Sequence, residues 1–107
     1  MEGVCVIVAY KPKPGKEGDL LALVRRRVPL LREERLATDR APTIMRSADG
    51  TIIEVSEWKS PEAIAAAHKN PRVLALWSEF FAICECVPLQ TLPEAKEMFA
   101  GFEPLEE

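Results

Sequence analysis

A carboxylate set among hydroxyls and an aromatic ring can accept a proton from a bound ligand and help hold the anion that results. One stretch of this sequence offers that set. Glu54 lies in the β-branched segment 51–58, where residues two apart share a face, so Ser56 and Trp58 sit on its side. With Asp49-Gly50 as a two-residue hairpin turn, Met45 falls opposite Glu54 and Thr43 opposite Ser56. The expected constellation has Glu54 as base, Thr43 and Ser56 as hydrogen-bonding groups, and Trp58 as an aromatic wall with Met45 as a further ligand contact. Glu57, three along the strand, points to the opposite face and is expected to serve stability. The structural alternative for Glu54 is an ion pair, for instance with Arg40 of the preceding loop.

His68 is the only histidine, hence the only side chain whose unperturbed pKa lies near neutrality, and it is the second catalytic candidate. Its plainer role is to stand at a helix C-terminus, where it interacts favourably with the dipole. One His and three scattered Cys make no recognisable ligand set, so no metal is expected. Cys5, Cys84 and Cys86 cannot all pair within one chain, and they read as reduced and mostly buried.

The elements that position these residues follow from periodicity. Residues 4–10 form a β-branched apolar strand closed by Lys11-Pro12-Lys13-Pro14-Gly15. Leu20, Val24, Val28 and Leu31 recur at helical spacing, with Pro29 opposite that stripe and Arg25 to Arg27 as a solvated flank. Segments 42–48 and 51–58 make the hairpin. Ser60-Pro61-Glu62 and Asn70-Pro71 are two helix starts, the second helix carrying Val73, Leu74, Trp77, Phe80, Phe81 and Cys84 on one face and ending near Val87-Pro88. Thr91 and Glu94 have capping-box spacing, and the tail 99–105 reads as a fourth strand. The order is that of a ferredoxin-like split βαβ α+β domain with a four-stranded antiparallel sheet.

At 107 residues with 48% hydrophobic content the chain fits one domain, 1–107. A net charge of -3, with 14 basic against 17 acidic residues, excludes the basic surplus of a nucleic-acid module. No apolar stretch approaches a membrane span and no signal pattern opens the chain, so a cytoplasmic protein without membrane association is expected. Strand one is apolar on both faces while the helices cover one, so a homodimer, with a second copy as the cover, is expected.

The first strand followed by Lys13-Pro14-Gly15-Lys16, the Asp49-Gly50 hairpin, the run from Glu57 to Ala63 and Ala67-His68-Lys69-Asn70-Pro71 resemble the antibiotic biosynthesis monooxygenase domains. The resemblance implies a dimeric α+β barrel, and it adds weight to His68, because these domains often carry a histidine near the end of the second helix. It also implies, as the leading function, a cofactor-independent monooxygenase of a small aromatic phenol or quinol that uses neither metal nor flavin. The alternatives are a non-catalytic dimer that binds a small apolar ligand, or an isomerase or cyclase on the same scaffold. The haem-degrading branch of this fold is disfavoured: strand one has no Asn, His68 stands at the usual Trp position and Ser78 at the usual His position.

Overall fold

The structure, a computed structural model, describes residues 2–105. Strand β1 (Val4–Pro12) leads into α1 (Glu17–Glu33), and β2 (Thr43–Arg46) and β3 (Ile52–Trp58) form the hairpin. Helices α2 (Pro61–Ala67) and α3 (Pro71–Ile83) follow, then β4 (Cys84–Val87), two short 3₁₀ turns, and the two-residue β5 (Glu103–Pro104). The five strands make one antiparallel sheet in the order β4-β1-β3-β2-β5. The α+β class and the antiparallel sheet are as expected. No helix among the described residues is long and apolar enough to cross a membrane.

Two strand assignments differ from expectation. The fourth strand is not the tail but Cys84–Val87, which turns directly off α3 and pairs with the far edge of β1. Apolar Cys84 and Val87 extend the helical stripe in sequence, and that hides the switch of period. The tail instead supplies the fifth strand, pairing Met45 with Pro104 and Arg46 with Glu103. The capping box does not form either: Glu94 accepts hydrogen bonds from Ser47 Oγ at 2.7 Å and from Ala48 N at 2.8 Å, tying the C-terminal segment to the hairpin tip.

The hairpin turn has three residues, 48–50, not two. Ser47 N donates to Thr51 O at 2.8 Å and Gly50 N to Ser47 O at 3.0 Å, with Gly50 at φ +91°. This is a type I turn followed by a left-handed residue, which adds one position and shifts the register by one. Ile44 therefore faces Glu54, and Thr43 faces Val55. Since a one-residue slip exchanges the faces of a strand, Thr43 and Met45 leave the side on which Glu54, Ser56 and Trp58 stand.

The helices cover the face that carries Tyr10, Ile44, Ile52 and Cys84, which pack with Leu20, Leu23, Val24, Leu76 and Phe80. Pro29 is exposed, as its position opposite the stripe requires. The other sheet face is covered in part by the chain itself: Leu92 closes over Ala9 and Ile53, with Met45, Val87 and Phe102 around them. Ile7 on that face stays 49% exposed.

Asn70 caps α3 by accepting from Arg72 N and Val73 N, and its amide donates to Glu34 Oε1 at 2.9 Å. Asn70→Ala should lower stability by about 1 to 2 kcal/mol, the upper end of a cap loss, because the bond to Glu34 at the C-cap of α1 goes with it. A denaturant midpoint unchanged from the parent protein would refute that role.

Candidate active site

Glu54 sits at the centre of the helix-covered face at 0% exposure, a position a carboxylate rarely occupies without a cation. The cation is Arg27. Its Nη1 donates to Glu54 Oε1 at 3.0 Å and to Ser56 Oγ at 3.0 Å, and its guanidinium carbon lies 5.5 Å from the centre of the Trp58 ring. Tyr10 Oη donates to the same Glu54 Oε1 at 3.1 Å. The register explains the convergence: Val8 on β1 pairs with Glu54 and Tyr10 with Ile52, which leaves the Tyr10 hydroxyl one pleat away.

This arrangement corrects two expectations. Arg27 is not part of a solvated flank but is buried, and Glu54 does not pair with Arg40. Arg40 instead binds Glu57 at 3.0 Å on the opposite face, together with the Thr38 hydroxyl at 2.8 Å. The signal for Arg27 was present in the sequence. It lies three residues after Val24 and four before Leu31, in the middle of the apolar stripe of α1, while Arg25 and Arg26 point away.

Above this cluster lies a cavity of about 260 Å³, just under the range of drug-sized pockets and suited to a small ligand. Trp77, Phe80 and Phe81 of α3 form one wall, and Val8 and Cys86 form the other. Its polar groups are Tyr10 and Arg27. Phe80 stacks on Tyr10 with ring centres 5.0 Å apart and planes 20° apart, holding the phenol ring in place. Burial pushes the Tyr10 hydroxyl well above its ordinary pKa; Arg27 opposes this and Glu54 adds to it, so Tyr10 is neutral at any physiological pH.

The residues singled out from sequence are thus divided. Glu54, Ser56 and Trp58 belong to the cluster but lie behind Arg27 and Tyr10 and do not line the cavity. Met45 lines a separate apolar cavity of about 220 Å³ on the opposite face, and Thr43 is exposed on that side. His68 is exposed beyond α2, its ring edge-on to Trp77 at 5.1 Å, so it touches the outside of the cavity wall. Trp77, read as core, is a wall of the site. Two of the three cysteines, Cys5 and Cys86, are exposed and only Cys84 is buried, contrary to expectation; burial raises the Cys84 thiol to about 11. Among the described residues, no group of three or more His, Cys, Asp or Glu could hold a metal ion.

The carboxylates outside the cluster make a separate expectation. The Thr38 hydroxyl and then Arg40 hold Glu57 below the ordinary carboxylate range, Asn70 and then Arg72 do so for Glu34, and Ser47 and the Ala48 amide for Glu94. A carboxylate whose folded value is lowered stabilises fully above its unfolded value of about 4.3, and the contribution is lost as pH falls through the folded value. Stability should therefore decline below about pH 4 to 5. The decline should be shallower in a Glu34→Gln, Glu57→Gln, Glu94→Gln variant, as denaturation midpoints measured across pH would read; an acid limb of unchanged slope would contradict this.

No family model matches the chain, and no curated protein sequence matches it. Solved structures do. SnoaB, a cofactor-independent oxygenase from Streptomyces nogalater, aligns with 88% of this chain and 100% of its own at a TM-score of 0.66 and 18% identity. A single-substitution mutant of SnoaB gives a TM-score of 0.65 over the same shares. Rv0793 from Mycobacterium tuberculosis aligns with 79% of this chain and 88% of its own at a TM-score of 0.64 and 22% identity. The chain has the small α+β fold of these proteins.

Proposed function

We propose that the protein is a cofactor-independent monooxygenase that takes a small phenol or quinol into the cavity over Tyr10 and Arg27. The observation that carries this reading is the pairing of a small, mainly apolar cavity with a buried Tyr10–Glu54–Arg27 cluster at its floor. An electron-rich aromatic can itself supply electrons to oxygen once ionised, so the protein's task is to exclude water, orient the ring and stabilise the anion. The fold shared with SnoaB supports the reading, since that scaffold carries oxygenase chemistry without a cofactor. His68 acts in it as a support for Trp77 and not on the ligand.

Oxygen consumption with a panel of quinols and phenols, in metal-free buffer with added chelator, tests the proposal. Uptake above the autoxidation rate with at least one compound is expected. The absence of uptake with every compound, together with a retained ligand in native mass spectrometry, would favour a binding protein instead.

The same reading includes a homodimer. Ile7 is half exposed on the sheet face away from the helices, and Met98 and Phe99, 90% and 89% exposed, stand in the segment that borders it. A second copy of this chain is the occupant that such an apolar face fits. Sedimentation at micromolar concentration should give the mass of two chains, and a monomer would overturn this part.

A further inference from the structure

We propose that the cavity binds its phenol in the neutral form and ionises it in place, the ligand proton passing to Tyr10 Oη as the Tyr10 proton passes to Glu54 Oε1, with Arg27 holding the phenolate. The inference deepens the reading of this cavity as the ligand site and rests on it. It also reassigns the roles: Tyr10 and Arg27 touch the ligand, and Glu54 receives the proton without touching it.

The balance is complete within the cluster. The ligand O–H bond breaks as a new O–H bond forms on Tyr10, and the original Tyr10 O–H bond breaks as one forms on Glu54. No electron leaves the cluster and no co-reactant is needed. Before binding, the floor holds one positive guanidinium and one negative carboxylate. Afterwards it holds the same guanidinium and one negative phenolate, so the net charge in the buried site is unchanged. Taking a phenolate directly from water would place a second anion beside a wholly buried carboxylate, which like-charge repulsion disfavours.

Arg27 is built for the exchange. A guanidinium has five N–H donors, and both of its hydrogen bonds among the described residues leave from Nη1, so Nε and Nη2 are available to a ligand. Once Glu54 Oε1 is protonated it accepts poorly, and the stronger charge-assisted bond is the one to the phenolate. Tyr10 suits a conduit and not a base, because its burial keeps the phenol protonated. The charged and titratable groups facing the cluster are Arg27 from α1, Tyr10 from β1, Glu54 from β3 and Cys86 from β4; α3 contributes only Trp77, Phe80 and Phe81.

A nitrophenol, colourless as the phenol and yellow as the phenolate, tests this under nitrogen, where no oxygenation occurs. The parent protein should bind it and turn it yellow at a pH where the free dye is colourless, and affinity should fall about tenfold per pH unit above the dye's own pKa. Tyr10→Phe, which removes one oxygen atom from the core, should bind the dye without the yellow band. Colourless dye on the parent protein, affinity that rises with pH, or a yellow complex with Tyr10→Phe would each overturn the relay. Failure of the dye to bind at all would overturn it together with the ligand site. Ionisation as described with no oxygen uptake from any substrate would uphold the relay and refute the oxygenase reading alone.

Discussion

Arg27→Met should cost about 3 to 5 kcal/mol of stability, a large share of the roughly 5 to 15 kcal/mol that holds a domain of this size together. The loss comes less from the guanidinium's own contacts than from what it leaves behind, a Glu54 carboxylate at 0% exposure without its cation. Replacing the whole cluster by apolar groups of similar volume, Arg27→Met with Glu54→Leu and Tyr10→Phe, removes the orphaned charge and should restore stability to within about 1 to 2 kcal/mol of the parent. Chemical denaturation of the single and triple variants reads the contrast directly. If the triple variant were as unstable as the single one, the loss would come from the contacts removed and not from an orphaned charge.

Phe80→Ala has the second large effect. The ring is buried, belongs to the main core and stacks on Tyr10, so its removal should cost about 3 to 5 kcal/mol. It also enlarges the ligand space, because Phe80 walls the cavity. The variant should accept bulkier phenols than the parent, because the ring that bounds the cavity on the α3 side is gone. Melting temperature together with the size dependence of ligand affinity checks both parts; an unchanged size limit would mean that Phe80 does not bound the ligand space.

The fold was largely legible in the sequence because its strongest signals are local. The β-branched run of β1, the Leu20–Val24–Val28–Leu31 stripe, and the Ser60-Pro61 and Asn70-Pro71 helix starts each need only neighbouring residues, and all appear where their chemistry puts them. The structure departs from the sequence pattern where one residue fits two local geometries. Asp49-Gly50 fits a two-residue turn, but Ser47 and Gly50 close a three-residue one, and that single step moved Thr43 and Met45 across the sheet. Cys84 continues a helical stripe as readily as it begins a strand. The alternation within β3 was sound, so Glu54 and Glu57 do stand on opposite faces, Glu54 buried with Arg27 and Glu57 beside Arg40. What the sequence concealed was the partner. A basic run is ordinarily solvated, and only the helical position of Arg27, set against the hairpin register, reveals that it turns inward beneath Trp77 and Phe80.

The central claim, that the cluster beneath the cavity is an oxygenase site, is tested most directly by comparing oxygen consumption of the parent protein with that of the triple Arg27, Glu54 and Tyr10 variant on the same quinol. Uptake by the parent is expected, with none above autoxidation by a variant that remains folded. Equal uptake by both proteins would contradict it.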